Sequence, residues 1–215
     1  MGKYFYNELD TLKNELIKMT NIIEAMAEDF TLQIDKPEKE ILQKNMAYDA
    51  EVDRLELEIE EQCISIMALY QPVAKDLRRT ATVLKMITDI ERIGDYYVDI
   101  FEILGKLEGE QDHEALLTLK KMGVLIQEMI HKSVDSFIDE DEKLAEEIAL
   151  KDDLIDGEYM ALYNRLLERL LGDFNMKENT IKYLLIGRYL ERIADHNTNI
   201  CERVIYMING KKVQY

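Results

Sequence analysis

Glu91-Arg92-Ile93-Gly94-Asp95 and Glu191-Arg192-Ile193-Ala194-Asp195 differ at one position and stand 100 residues apart. The same offset pairs Thr80 with Thr180, Leu84 with Leu184, Ile100 with Ile200 and Glu102 with Glu202. Matches held at one offset over so long a stretch mark an internal duplication. Around the first copy, Ile90, Ile93, Tyr97, Ile100 and Leu104 recur at intervals of three and four, the spacing of one helix face. The duplicated unit is therefore helical.

Outward from this pair, each half reads as three long helices. The first runs from about Tyr4 to Ile34, with Leu9, Leu12, Leu16, Met19, Ile23, Met26 and Phe30 as its apolar stripe. Asp35-Lys36-Pro37-Glu38 has the order of a helix start: a capping acid, a first-turn proline and a further acid. That second helix continues to Leu69 or Tyr70, and Gln71-Pro72 breaks it, because a residue before proline avoids the helical region. The third ends near Leu107, ahead of Gly109. The fourth spans Asp112 to Phe137, and Asp139-Glu140-Asp141-Glu142 turns the chain. The fifth reaches Leu171 with Gly172 as its cap, and Asn175-Met176-Lys177-Glu178 is a capping box opening the sixth, which ends at Ile208 before Asn209-Gly210. The expected fold is all-α: two tandem three-helix bundles, residues 1–108 and 109–215, related by the repeat.

Composition narrows function. The chain of 215 residues carries 44 acids against 27 Lys and Arg, a formal charge of −17. Nucleic acid and anionic membrane surfaces both ask for a basic face, so neither is an expected ligand. No apolar run approaches a bilayer span, and the opening residues lack the apolar core of a secretory signal. Cys63 and Cys201 are isolated, with no CxxC and no Cys/His cluster, and read as buried thiols of a cytoplasmic protein. Nine Gly and two Pro are too few for a turn-rich β fold. No phosphate loop, GxSxG, HExxH or Cys–His pair is present, so an enzyme is not expected.

The repeated acids are the candidate chemistry. Helices two and three carry Asp49/Asp53 and Glu91/Asp95, and their second-half counterparts are Asp152/Asp156 and Glu191/Asp195. An acidic pair at i, i+4 is common in so acidic a chain and by itself marks a solvated face. Position in the hairpins says more. Asp49/Asp53 is centred 20 residues before Gln71 and Glu91/Asp95 22 after it, so an antiparallel hairpin sets the pairs level. The second-half pairs are level about their own turn. Four gathered carboxylates repel unless a cation sits among them. Arg92 and Arg192 follow the two glutamates, but neighbours on a helix point roughly 100° apart, which suits them to brace an adjacent helix. Carboxylates without thiolates suit Mg, Ca, Mn or Fe. Glu91 and Asp95 lie off the apolar seam, so the cluster belongs on the bundle surface.

The competing reading is a ferritin-like carboxylate-bridged metal protein with oxidase or storage activity. That needs ExxH motifs on separate helices facing inward. The two matches here, Glu110/His113 and Glu128/His131, share one helix, and His196 has no such partner.

Gln71-Pro72-Val73-Ala74-Lys75-Asp76-Leu77-Arg78, with Asp89-Ile90-Glu91-Arg92-Ile93-Gly94-Asp95, resembles the PhoU family of phosphate-system regulators. Gly187-Arg188-Tyr189-Leu190-Glu191-Arg192-Ile193-Ala194-Asp195-His196-Asn197-Thr198-Asn199-Ile200 is similar to that family's second repeat, and the likeness spans essentially the whole chain. The resemblance implies two three-helix bundles and a cytoplasmic, non-catalytic regulator. It implies coupling of the phosphate ABC transporter, through its ATPase subunit, to a sensor histidine kinase, and repression of the phosphate-starvation regulon. It also implies metal at the acidic motifs, multinuclear iron or zinc above all, with Mg or Mn as further expectations. One departure stands out: Asp99 of the first repeat becomes Asn199 in the second; both stay outside the ligand set, and were both ligands the two sites should differ in charge and affinity. Two similar bundles offer related surfaces for a bridge between partners or for a homodimer.

Overall fold

The computed structural model describes residues 3–38, 40–109, 111–172 and 177–215. Seven helices and no strands are found among them: α1 Lys3–Gln33, α2 Ile41–Tyr70, α3 Ala74–Leu104, α4 His113–Asp139, α5 Glu142–Ala149, α6 Asp152–Gly172 and α7 Lys177–Asn209. Helices α1, α2 and α3 pack on one another as the first bundle, and α4 to α7 form the second. The expected stripe of α1, from Leu9 to Phe30, is buried residue by residue. The 100-residue offset also holds in burial: Ile90 and Leu190, Ile93 and Ile193, Gly94 and Ala194, and Ile100 and Ile200 all face the interior.

The bundles are not separate bodies. Helix α3 lies along α7 and α1 along α4, and one apolar core runs through both halves. At the α1–α4 crossing Gly123 permits the approach, since a Cβ there would stand 2.5 Å from Cε1 of Phe30. Asp89, almost fully buried on α3, ties the halves together. Its Oδ1 is 2.9 Å from Nδ1 of His196 and its Oδ2 2.8 Å from Nε of Arg203, both on α7.

Three boundaries differ from the sequence reading. Helix α2 starts at Ile41, because the backbone N–H of Glu38 donates to Oε1 of Gln33 at 3.1 Å and holds 34–38 as a turn. Helix α3 stops at Leu104, where Gly105 caps it and two shorter-range bonds carry the chain to Leu107. The expected fifth helix is two helices. Lys151 N–H turns to the carbonyl of Ile148, and α6 restarts at Asp152-Asp153. Adjacent aspartates are poor mid-helix residues and good first-turn residues, so the break falls in front of them. The capping box at Asn175 lies outside the described residues.

Candidate functional site

Each half carries its acids in a groove between two helices, α2 against α3 and α6 against α7. Glu91 and Glu191 are not on an open face: their side chains keep 16% and 13% exposure. Asp49, Asp95 and Asp152 are half-buried, while Asp53, Asp156 and Asp195 are exposed. The expected surface cluster is therefore a surface groove with a sunken inner wall. The inner wall is the same in both halves. Oδ1 of Asp49 and Oε2 of Glu91 are buried without a hydrogen bond, and so are Oδ1 of Asp152 and Oε2 of Glu191. Gly94 leaves the room for Asp49, whose Oδ1 would lie 3.0 Å from a Cβ at that position.

A buried carboxylate oxygen without a hydrogen bond is costly, and the carboxyl responds by holding its proton. Burial, then repulsion from Asp53, Asp95 and Asp99, pushes Asp49 up to about 6. Burial, then Asp95, pushes Glu91 up to about 7, with Arg92 opposing and Glu56 and Asp53 adding. In the second half burial, then Asp195, Asp156 and Glu191, pushes Asp152 up to about 7. Glu191 and Asp195 are raised as well, burial again leading. The structure thus brings the four acids of each half within reach of mutual repulsion. Among the described residues, no three acid, imidazole or thiol groups are gathered to hold one metal ion as they stand.

The arginines divide. Arg92 does not brace a neighbouring helix: its Nε is 3.3 Å from Oε2 of Glu91 and its Nη1 2.9 Å from Oδ2 of Asp95. A long side chain curls back where two acids offer a better partner than an apolar neighbour. Arg192 follows the expectation and lies over the Tyr96 ring of the other bundle, 5.8 Å from its centroid. Glu191 is paired instead with Arg188, one turn earlier.

Sequence reasoning left three neighbours out of the cluster. Glu56 follows Asp49 and Asp53 at the seven- and three-residue spacing of one helix face, a signal present in the sequence. Asp153 flanks Asp152, and Asp99 acts on Asp49. The inward di-iron arrangement is absent among the described residues. Glu110 lies outside them, His131 is on the surface 2.9 Å from Glu24, and Glu128 pairs with Lys132 and Lys151. The buried acids are occupied: Asp29 by Lys44 and Asn45, Asp89 by His196 and Arg203, Asp112 by Arg169.

A family model described as the PhoU domain matches residues 16–104 and again 119–204. A phosphate-specific transport system accessory protein PhoU homolog of Clostridium acetobutylicum is 34% identical over 98% of this chain and 97% of its own. The homolog 1 of Thermotoga maritima is 33% identical over 98% and 91%. The crystal structure of PhoU from Pseudomonas aeruginosa superposes with a TM-score of 0.92 at 30% identity, covering 96% of this chain and all of that one. The phosphate transport system regulatory protein PhoU of Streptococcus pneumoniae gives 0.91 at 29%, over 98% and 100%.

Proposed function

The chain belongs to the PhoU family, and from that premise we propose that it is the accessory regulator of a phosphate-specific transport system. It acts in the cytoplasm by protein contact, meeting the transporter's ATPase subunit and a sensor histidine kinase and repressing the phosphate-starvation response when phosphate is ample. The relatives' descriptions as accessory and regulatory proteins of phosphate transport support this reading. The body suits that role, since no helix of the described residues is long and apolar enough to cross a membrane, and the net charge of −17 disfavours nucleic acid. A homodimer belongs to the same reading.

Each groove is proposed as a metal site, Asp49, Asp53, Glu91 and Asp95 in one and Asp152, Asp156, Glu191 and Asp195 in the other. The observation that carries it is the matched pair of buried carboxylate oxygens, one Asp and one Glu in each repeat, that accept no hydrogen bond. An all-oxygen donor set fits Mg, Mn or iron, zinc enters only through the family resemblance, and a bound cation would take the place of the protons that the groove otherwise holds. Loading competes with Arg92 for Asp95 and with Arg188 for Glu191.

The test is a deletion strain grown in high phosphate. Starvation genes should be de-repressed, and the repression should return with the wild-type gene. Normal repression in the deletion strain overturns the regulator, as does failure to capture either the ATPase or the kinase at low and high phosphate. For the grooves, metal analysis of untagged protein should find bound metal. Glu91→Gln with Asp95→Asn should lose the first half's share with the helical signal intact. Unchanged metal content would refute the assignment.

A further inference from the structure

Beside the second acidic groove lies a cavity of opposite character, about 400 Å³ in volume, between α3, α7 and the segment that follows α7. Gly210, with φ of +75°, reverses the chain there. The segment is tied down where the backbone N–H of Tyr215 donates to Oε1 of Glu202 at 2.9 Å. The reversal brings Lys212 opposite Lys85 and Arg203, with Thr82, Asn199 and Tyr206 completing the lining. In a chain with 17 more acids than bases, three converging cations are out of character. Lys85 and Lys212 take part in no ion pair among the described residues. Arg203 shares its charge with Asp89, and Glu202, the one acid in the lining, already accepts from Tyr215.

The duplication supplies an internal control. At the 100-residue offset, Lys85 corresponds to Leu185, Arg203 to Ile103 and Asn199 to Asp99. These three differences make this cavity more positive, Thr82 against Lys182 and Tyr206 against Lys106 run the other way, and Lys212 against Asp112 leaves the balance positive. The Asp-to-Asn difference between the repeats thereby finds a purpose: it removes a negative charge from a wall that the cavity shares with the acidic groove.

We propose that this cavity binds a phosphoryl group, either as free inorganic phosphate or as the end of a small nucleotide. Lys85, Lys212 and the remaining hydrogen-bonding capacity of Arg203 meet the oxyanion, and the amide of Asn199 contributes a neutral donor. The volume exceeds that of phosphate alone, and Tyr206 and Val213 give an apolar wall for an attached group. The long-range field of an acidic chain is screened beyond about 8 Å at physiological salt, so the local cations govern. The inference deepens the regulatory reading and rests on it for its biological sense, but its test stands on the purified chain.

The full chain, treated with chelator so that groove-bound metal does not capture the anion, is titrated with inorganic phosphate, with AMP and with sulfate, by calorimetry and amide NMR. Saturable binding of phosphate or AMP is expected, and which of the two binds identifies the source of the phosphoryl group. Lys85→Glu should weaken it about tenfold or more, the loss of one charge-assisted contact. Lys212→Ala should weaken it several-fold, and Lys143→Ala, an exposed position on α5, should leave it unchanged. Unaltered helical signal and melting in Lys85→Glu separate lost binding from lost folding. No binding at millimolar concentrations, equal binding of sulfate, or binding indifferent to Lys85→Glu overturns the proposal. A chain blind to phosphate and AMP whose deletion still de-represses starvation genes would remove the pocket and leave the regulator standing.

Discussion

Replacing Glu91 by Gln tests the sunken acid directly. Glu91 keeps its side chain 16% exposed and its Oε2 without a hydrogen bond. The unfolded chain releases this proton near 4.5, whereas the folded chain holds it to about 7. A raised carboxyl favours the folded state while protonated, so stability is lost as pH climbs from about 4.5 through 7. At 1.36 kcal/mol per pKa step, keeping Glu91 ionised in the folded chain costs about 3 kcal/mol at alkaline pH. Glutamine preserves the shape without the charge, but its amide in the same groove costs about 1 kcal/mol. The metal-free variant should therefore be more stable than wild type by about 2 kcal/mol at pH 8.5, roughly 4–8 °C in melting temperature for a chain of this size. At pH 4.5 the gain should vanish or reverse. Urea denaturation and thermal melts in chelator at both pH values measure the difference. A divalent metal at pH 8.5 should then raise the wild-type melting point by more than the variant's, which keeps only the second groove intact. A variant no more stable than wild type at pH 8.5, or equally shifted at both pH values, would refute the burial-and-repulsion account of the groove.

Gly123→Ala should destabilise the chain by about 1–2 kcal/mol, because overpacking against fully buried Phe30 outweighs the gain in helix propensity; urea midpoints at neutral pH measure it. Asp89→Ala should cost about 2–3 kcal/mol by leaving His196 and Arg203 of α7 without their carboxylate partner on α3. A loss below 0.5 kcal/mol, on the scale of a neutral surface change, would show that the joint is held by packing alone. Cys63 and Cys201 are buried, and burial pushes both thiols up to about 12, so a thiol reagent should label neither in native protein and both in urea.

Much of the fold was legible because duplication and periodicity are one-dimensional signals. The 100-residue offset needed no structure, and the apolar stripe from Leu9 to Phe30 named the buried face of α1 before any packing was known. The broken fifth helix was less legible, since Ala149-Leu150-Lys151 carries neither Gly nor Pro. Only the aspartates behind it hinted at a new start. The groove acids were found by spacing and hairpin depth, yet their burial was not, because the angle from a helix's own seam ignores the helix packed alongside. Arg92 was misjudged for the same reason: a flexible side chain answers to nearby charge as well as to the direction of its Cβ.

An all-helical duplicated chain, its acidic pairs and its family are all written in residue identity and spacing, so each could be read before folding was considered. Packing between helices set the rest: how deep Glu91 and Glu191 sit, how Asp89 joins the halves, and where Lys85, Arg203 and Lys212 meet. Joints such as Asp89 with His196 and Asp89 with Arg203 link residues more than a hundred positions apart, and no local pattern encodes the partner across such an interface. An acidic average conceals a basic cavity, since net charge sums over the chain while a ligand meets only the side chains that folding brings to one place.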